Sequence, residues 1–138
     1  MARAIATLLL LMCSSASVAE INTNRARINY MLNCQGCHLP DGSGKPGAVP
    51  DLKDFGRFLA VPGGREYLVR VPGSAQSPLS DADLAALLNW MLRRFGPAEV
   101  AASLEPYTAE EISAVRRPPL ADVAATRARL LARLRAGD

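Results

Sequence analysis

One histidine, His38, serves the whole 138-residue chain. Cysteine is nearly as scarce, with three in total. A tetrahedral zinc site needs about four Cys or His ligands, and no further pair follows Cys34 and Cys37. Aromatic residues make up only 5% of the chain. The longest apolar run falls short of the roughly 20 residues that a membrane-spanning helix needs. No Gly-rich phosphate loop, Ser/His/Asp set or internal repeat is present. The alternating strand and helix pattern expected around a thioredoxin-like Cys-x-x-Cys is absent too. Neither sign of charge dominates: 16 Lys and Arg face 13 Asp and Glu, a formal +3, which is not a nucleic-acid-binding balance.

Against this background five residues stand out, Cys34-Gln35-Gly36-Cys37-His38. C-x-x-C-H is the attachment signature of c-type haem. Two thiols add across the two vinyl groups of the porphyrin, and one short turn must bring both sulfurs to them. The following histidine is then placed beneath the iron as its proximal ligand. Cys34 and Cys37 are therefore the expected attachment points of one haem c, and His38 the expected iron ligand.

The N-terminus predicts where this chemistry takes place. Arg3 supplies a small basic region, Ala4 to Met12 an apolar core, and Ser17-Val18-Ala19 a small-x-small cleavage site. That is the pattern of a secretory signal over residues 1–19. Cys13 raises a lipoprotein alternative, but Met12 stands where a lipobox wants a small residue, so lipid anchoring is not expected. Export to the periplasm fits the motif, because bacteria attach haem covalently outside the cytoplasm. The remaining 119 residues suit one domain.

Helical signals fill most of that length. Ile28, Met31 and Leu32 share one side of a helix expected over Asn24 to Leu32, with Thr23 or Asn24 as its cap. Residues 39–50 are rich in Gly and Pro and read as loop. A short helix is expected over Asp51 to Phe58, and Glu66 to Val71 is helix or extended. From Ser80 to Phe95 the signal is strongest: Ser80 is a good N-cap, and Asp81 and Asp83 favour the first turn. Leu84, Leu87, Leu88, Met91, Leu92 and Phe95 make one apolar stripe, and Gly96-Pro97 stops the helix. Thr108-Ala109-Glu110-Glu111 is a capping box, and Asp122 opens a last helix over Val123 to about Arg135.

Taken together, these residues resemble the small class I cytochromes c over roughly Thr23 to Phe95. The motif is the most specific part. Asp41-Gly42-x-Gly44, Pro50-x-Leu52, and Leu79 to Leu92 with Trp90 are similar to the family's haem loop and closing helix. The resemblance implies an all-α fold of a few helices wrapped around one haem. It implies that the Pro50 carbonyl accepts a hydrogen bond from the free ring nitrogen of His38. It also implies that Leu52 and Trp90 belong to the haem surroundings, with Trp90 at the crossing of the first and closing helices. Three regions are expected: the signal over 1–19, a haem domain over 20–95, and a helical extension over 96–138.

The chain departs from the family pattern twice. Family members supply a second iron ligand, a methionine, shortly before the closing helix. Here Val71 holds that place, and no methionine lies between Cys37 and Trp90. Met91 is the leading candidate for the metal, ahead of Met31, with a lysine (Lys45 or Lys53) or an open site as alternatives. The second departure is the extension. Its last helix carries Arg127, Arg129, Arg133 and Arg135 beside Leu130, Leu131 and Leu134. It reads as a helix on the outside of the domain whose basic face meets solvent, an acidic partner or a membrane surface.

The functional expectation is a periplasmic carrier of single electrons without catalysis of its own. A periplasmic dehydrogenase would be its donor, and a cytochrome or oxidase its acceptor. A binder or sensor of small ligands at an open iron, and a haem subunit of a larger oxidoreductase, are the alternatives.

Overall fold

The computed structural model describes residues 22–137, which fold without a strand; one isolated bridge joins Lys45 and Val49. The expected signal segment lies outside the described residues. Helix α1 covers residues 22–33 and runs into the Cys34–His38 turn. A 3-10 helix spans Phe55–Ala60, followed by α2 (Gly64–Arg70), α3 (Pro72–Ala75), α4 (Asp81–Phe95), α5 (Ala98–Ser103), α6 (Ala109–Val115) and α7 (Val123–Ala136). No helix among the described residues is long and apolar enough to cross a membrane.

Helix α4 forms as its sequence demands. The Ser80 side chain accepts from the Asp83 backbone N–H, and two acids occupy the first turn. Leu84, Leu87, Leu88, Met91, Leu92 and Phe95 are all buried along its stripe. The capping box also forms, with Thr108 accepting from the Glu111 N–H, and Asp122 caps α7 through the Ala125 N–H.

Helix α1 buries a different side from the one expected. Ile28, Met31 and Leu32 are 52%, 47% and 76% exposed, whereas Ala26 and Tyr30, four residues apart, are buried. Tyr30 buries a large ring, satisfies its hydroxyl on the Leu39 carbonyl at 2.6 Å, and packs against Trp90 and Phe95 at 5.5 and 5.1 Å between centroids. Small Ala26 adds close approach on the same side. One amphipathic aromatic with a polar partner outweighs three aliphatic residues here. The helix is already under way at residue 22, so Thr23 and Asn24 lie inside it rather than cap it. The short helix expected from Asp51 begins only at Phe55 and is 3-10. Its end packs tightly on α2: a Cβ on Gly64 would lie 1.6 Å from the Phe58 carbonyl oxygen.

Side chains fasten the C-terminal extension to the helices before it. Tyr107 donates its backbone N–H to the Asn89 side chain at 2.8 Å and accepts from that amide at 3.0 Å. Its hydroxyl donates to the Arg65 carbonyl. Arg65 in turn makes a two-pronged ion pair with Glu111, at 2.8 and 2.6 Å. Arg116, only 6% exposed, donates to the carbonyls of Ala75, Ser77 and Leu79 and to the Asp81 carboxylate. On α7 Leu130 is buried and Arg133 donates to the Pro62 carbonyl. The extension thus shares one core with the helices before it.

Candidate functional site

The Cys34–His38 turn is closed by its own backbone. The N–H groups of Cys37 and His38 both donate to the Cys34 carbonyl, at 3.1 and 2.9 Å, and Cys34 N–H reaches the Tyr30 carbonyl. Helix α1 is thereby coupled directly to the motif, and both cysteines and the histidine are held on one turn. Cys34 and Cys37 carry free thiols. Burial, then the neighbouring Cys37, pushes the Cys34 thiol up to about 11. A thiol so disfavoured as thiolate is a poor nucleophile on its own.

The loop behind the motif is shaped by glycine. Gly42 sits at φ +82°, and a Cβ there would lie 2.7 Å from the Phe95 ring. Only glycine allows both the left-handed backbone and the aromatic contact. Gly42 then accepts from the Leu52 N–H at 2.8 Å. This bond brings Pro50, Asp51 and Leu52 back toward the motif.

A cavity of about 300 Å³ opens between these pieces. One part of its wall is Cys34, Cys37, His38, Pro50 and Leu52; the rest is mostly apolar, with Phe55, Phe58, Leu68, Val71, Leu84, Leu87, Leu88 and Met91. Its size lies within the range of small-molecule and cofactor pockets. Burial pushes the His38 ring below its ordinary pKa, with the Pro50 carbonyl and the Asp51 charge pulling the other way. Nδ1 of His38 is buried without a completed hydrogen bond, although the Pro50 carbonyl lies beside the ring. A neutral imidazole at a pocket of this kind is the form that binds a metal.

The expected site residues therefore divide. Cys34, Cys37, His38, Pro50, Leu52 and Met91 meet at one cavity. Trp90 does not border it; the indole sits half-buried between Tyr30 and Phe95, with its ring 5.6 Å from that of Phe95. Val71 is on the wall, and Met91 is the one methionine among the described residues that reaches it. Lys53 is engaged with Asp41 at 3.2 Å. Two residues of α7, Val123 and Arg127, also border the cavity. Arg127 was expected on the basic outer face of the last helix and Val123 only as its first residue, neither of them at a cavity. A basic residue on an amphipathic helix reads as solvated until the packing partner of that helix is known.

The residues present suit a haem. Two thiols and one imidazole share a turn, the rest of the wall is mostly apolar, and two buried polar atoms, His38 Nδ1 and Arg127 Nε, are left without partners. Among the described residues no group of three or more His, Cys, Asp or Glu stands close enough to hold a metal ion.

No family model matches the chain. It is 35% identical over 106 residues to a cytochrome c-552 of Thermus thermophilus, covering 63% of this chain and 81% of that relative. A second cytochrome c-552, from a specified strain of the same species, is also 35% identical over 106 residues, covering 63% of this chain and 72% of the relative. With identity of this level spanning most of a relative, a cavity wall carrying the Cys34–His38 turn, and an all-α core, the chain belongs to the small class I c-type cytochromes, electron-transfer proteins that carry covalently attached haem c with its iron.

Proposed function

We propose that this protein is a monohaem shuttle of the periplasm, taking one electron at a time from a periplasmic dehydrogenase and passing it to a downstream cytochrome or oxidase. The observation that carries the reading is the Cys34–His38 turn set into the wall of one apolar cavity. The bound haem supplies a one-electron iron couple, and everything else is supplied by the chain.

Cys34 and Cys37 would hold the group through two thioether bonds. His38 would ligate the iron through Nε2, with the Pro50 carbonyl positioned to take the hydrogen bond from Nδ1 and so fix the ring. Leu52, Leu84, Leu87 and Leu88 exclude water, which keeps the reorganisation accompanying electron transfer small. Met91 is the sixth-ligand candidate, as the methionine on the wall. Trp90 supports the site indirectly by pinning α1 to α4.

Docking would be brief and steered by charge. Ile28, Met31, Leu32 and Leu39 are exposed on the segment that leads into and out of the motif, a surface suited to a transient apolar contact. Arg129 and Arg135 remain exposed on α7 and would favour an acidic partner.

A second reading is favoured by one observation. Val71 stands on the cavity wall where family members place a methionine, so the iron's sixth position would be open and small ligands would bind there. The visible spectrum of the dithionite-reduced protein, recorded with and without carbon monoxide, separates the two. An unchanged spectrum that becomes sensitive to carbon monoxide in Met91→Leu supports the shuttle with Met91 as ligand. A spectrum that shifts in the wild type supports the open site.

A further inference from the structure

The segment joining α2 to α4 borders the haem cavity without offering the iron a ligand. Val71, Gly73, Ser74 and Ser77 stand on the wall, and residues 72–79 carry no charge, histidine or methionine. The segment does little to hold itself. Its helix, α3, has four residues, Ala75 is its one buried residue, and Gln76 and Pro78 face solvent. A stretch with so little buried apolar surface opens locally at low cost unless something ties it down.

Arg116 ties it down. From the C-cap of α6, its guanidinium donates to the carbonyls of Ala75, Ser77 and Leu79 at 3.1, 2.6 and 2.8 Å, and to the Ser77 hydroxyl at 3.1 Å. The same group pairs with Asp81 at 2.9 Å, in the first turn of α4. The carbonyls of alternate residues thus turn toward one cation, which fixes the path of the chain from the end of α3 to the start of α4. Arg116 itself does not border the cavity; it acts on the wall from behind, through a segment that does.

We propose that residues 72–79 form the gate through which small uncharged ligands reach the iron, and that Arg116 of the C-terminal extension is the positioning residue that holds this gate shut. The lining fits an uncharged ligand, because Val71, Gly73, Ser74 and Ser77 bring apolar and hydroxyl surface to the wall and no charge. The inference rests on the reading of the cavity as the haem site and deepens it, by giving the extension control over access to the iron.

The test uses the haem-loaded protein as wild type, Arg116→Met, Arg116→Lys and Arg65→Met. Arg65 fastens the extension at Glu111 and at the Glu105 carbonyl, away from the segment, so Arg65→Met controls for loosened packing alone. The rate of carbon monoxide binding to the dithionite-reduced protein is read by stopped flow; where Met91 holds the sixth position, the same series is made in Met91→Leu. Arg116→Met should bind carbon monoxide about tenfold faster or more, the weight of one hydrogen bond from a charged donor. Arg116→Lys keeps the charge but not the fork of donors; its rate falls between, and it carries the test if Arg116→Met does not fold. Arg65→Met should bind at the wild-type rate even as its urea midpoint drops. The resting haem absorption should be alike in all four, since neither arginine borders the cavity. Equal rates in the wild type and every Arg116 variant that folds overturn the proposal. So does an Arg65→Met that binds as fast as Arg116→Met, or an iron that refuses carbon monoxide in wild type and Met91→Leu alike. Purified protein without any haem absorbance overturns the underlying reading instead, before a variant is made.

Discussion

Two largely irregular stretches, residues 34–54 and residues 104–122 on either side of α6, are held in opposite ways. The first is closed chiefly by its own backbone turns, and side chains at the motif stay open: Leu39 is 54% exposed and Cys37 is exposed. The second is tied to the core by side chains, with Tyr107 and Arg116 buried and bonded to Asn89, Arg65, Ala75, Ser77 and Leu79. Both lack regular secondary structure over much of their length, so irregularity alone says nothing about stability. The difference is in what completes them. Tyr107 and Arg116 find their partners within the chain. The motif loop leaves two thiols and the His38 Nδ1 uncompleted, as a segment shaped to receive a group should.

If that contrast holds, His38→Ala has the largest effect. Removing the proximal imidazole should change the reduced spectrum and leave an iron that binds carbon monoxide, while far-ultraviolet circular dichroism keeps most of the helical signal. Loss of the helical signal together with the spectrum would mean that the two regions are not separable.

Arg116→Met should come next. It strips the hydrogen bonds from three carbonyls and leaves Asp81 without its partner. The Asp81 side chain is 36% exposed and stays hydrated, so the main loss is that of the carbonyls left without a donor, about 1–3 kcal/mol, to be read as a lower urea midpoint in equilibrium unfolding. Haem stays attached, because the bonds lost belong to the extension.

Gly42→Ala tests the receiving side. A side chain at φ +82° and 2.7 Å from Phe95 costs about 1–3 kcal/mol. Since Gly42 also accepts from the Leu52 N–H, the haem absorption should shift as well as the unfolding midpoint, a double effect not expected of Arg116→Met.

The smallest effect belongs to Arg25→Gln. Arg25 and Asp83 join α1 to α4 at 2.7 Å in an exposed pair, and such pairs contribute little and fade with salt. The Arg25 hydrogen bond and charge hold the Asp83 carboxyl below its ordinary pKa. A group with a lowered folded pKa contributes stability above its unfolded value of about 4 and loses it as pH falls through the folded value. Arg25→Gln should therefore be slightly less stable than wild type at neutral pH, and the gap should close as pH falls below about 4. Thermal melts at several pH values would show this.

Much of the site was readable in the chain because its signals are local. Cys34 to His38 act from one turn, and Ser80 to Phe95 declare their helix through a cap and a stripe. The remainder depends on partners distant in sequence. Ile28, Met31 and Leu32 match a helical period as well as Ala26 and Tyr30 do, and only the position of Leu39, Trp90 and Phe95 selects between the two faces. Helices α3 and α5 are too short to show a period at all. Arg127 resembles its basic neighbours until α7 is laid against Phe58 and Tyr67. Periodicity tells that a helix packs, not what it packs on.

The central claim is that Cys34 and Cys37 bind one haem covalently. The direct measurement is the intact mass of the exported, purified protein after denaturation, compared with that of Cys34→Ala/Cys37→Ala. The account predicts a wild-type mass greater than the polypeptide by one haem and a variant mass of polypeptide alone. A wild type at polypeptide mass, or a variant that keeps its haem through denaturation, would contradict it.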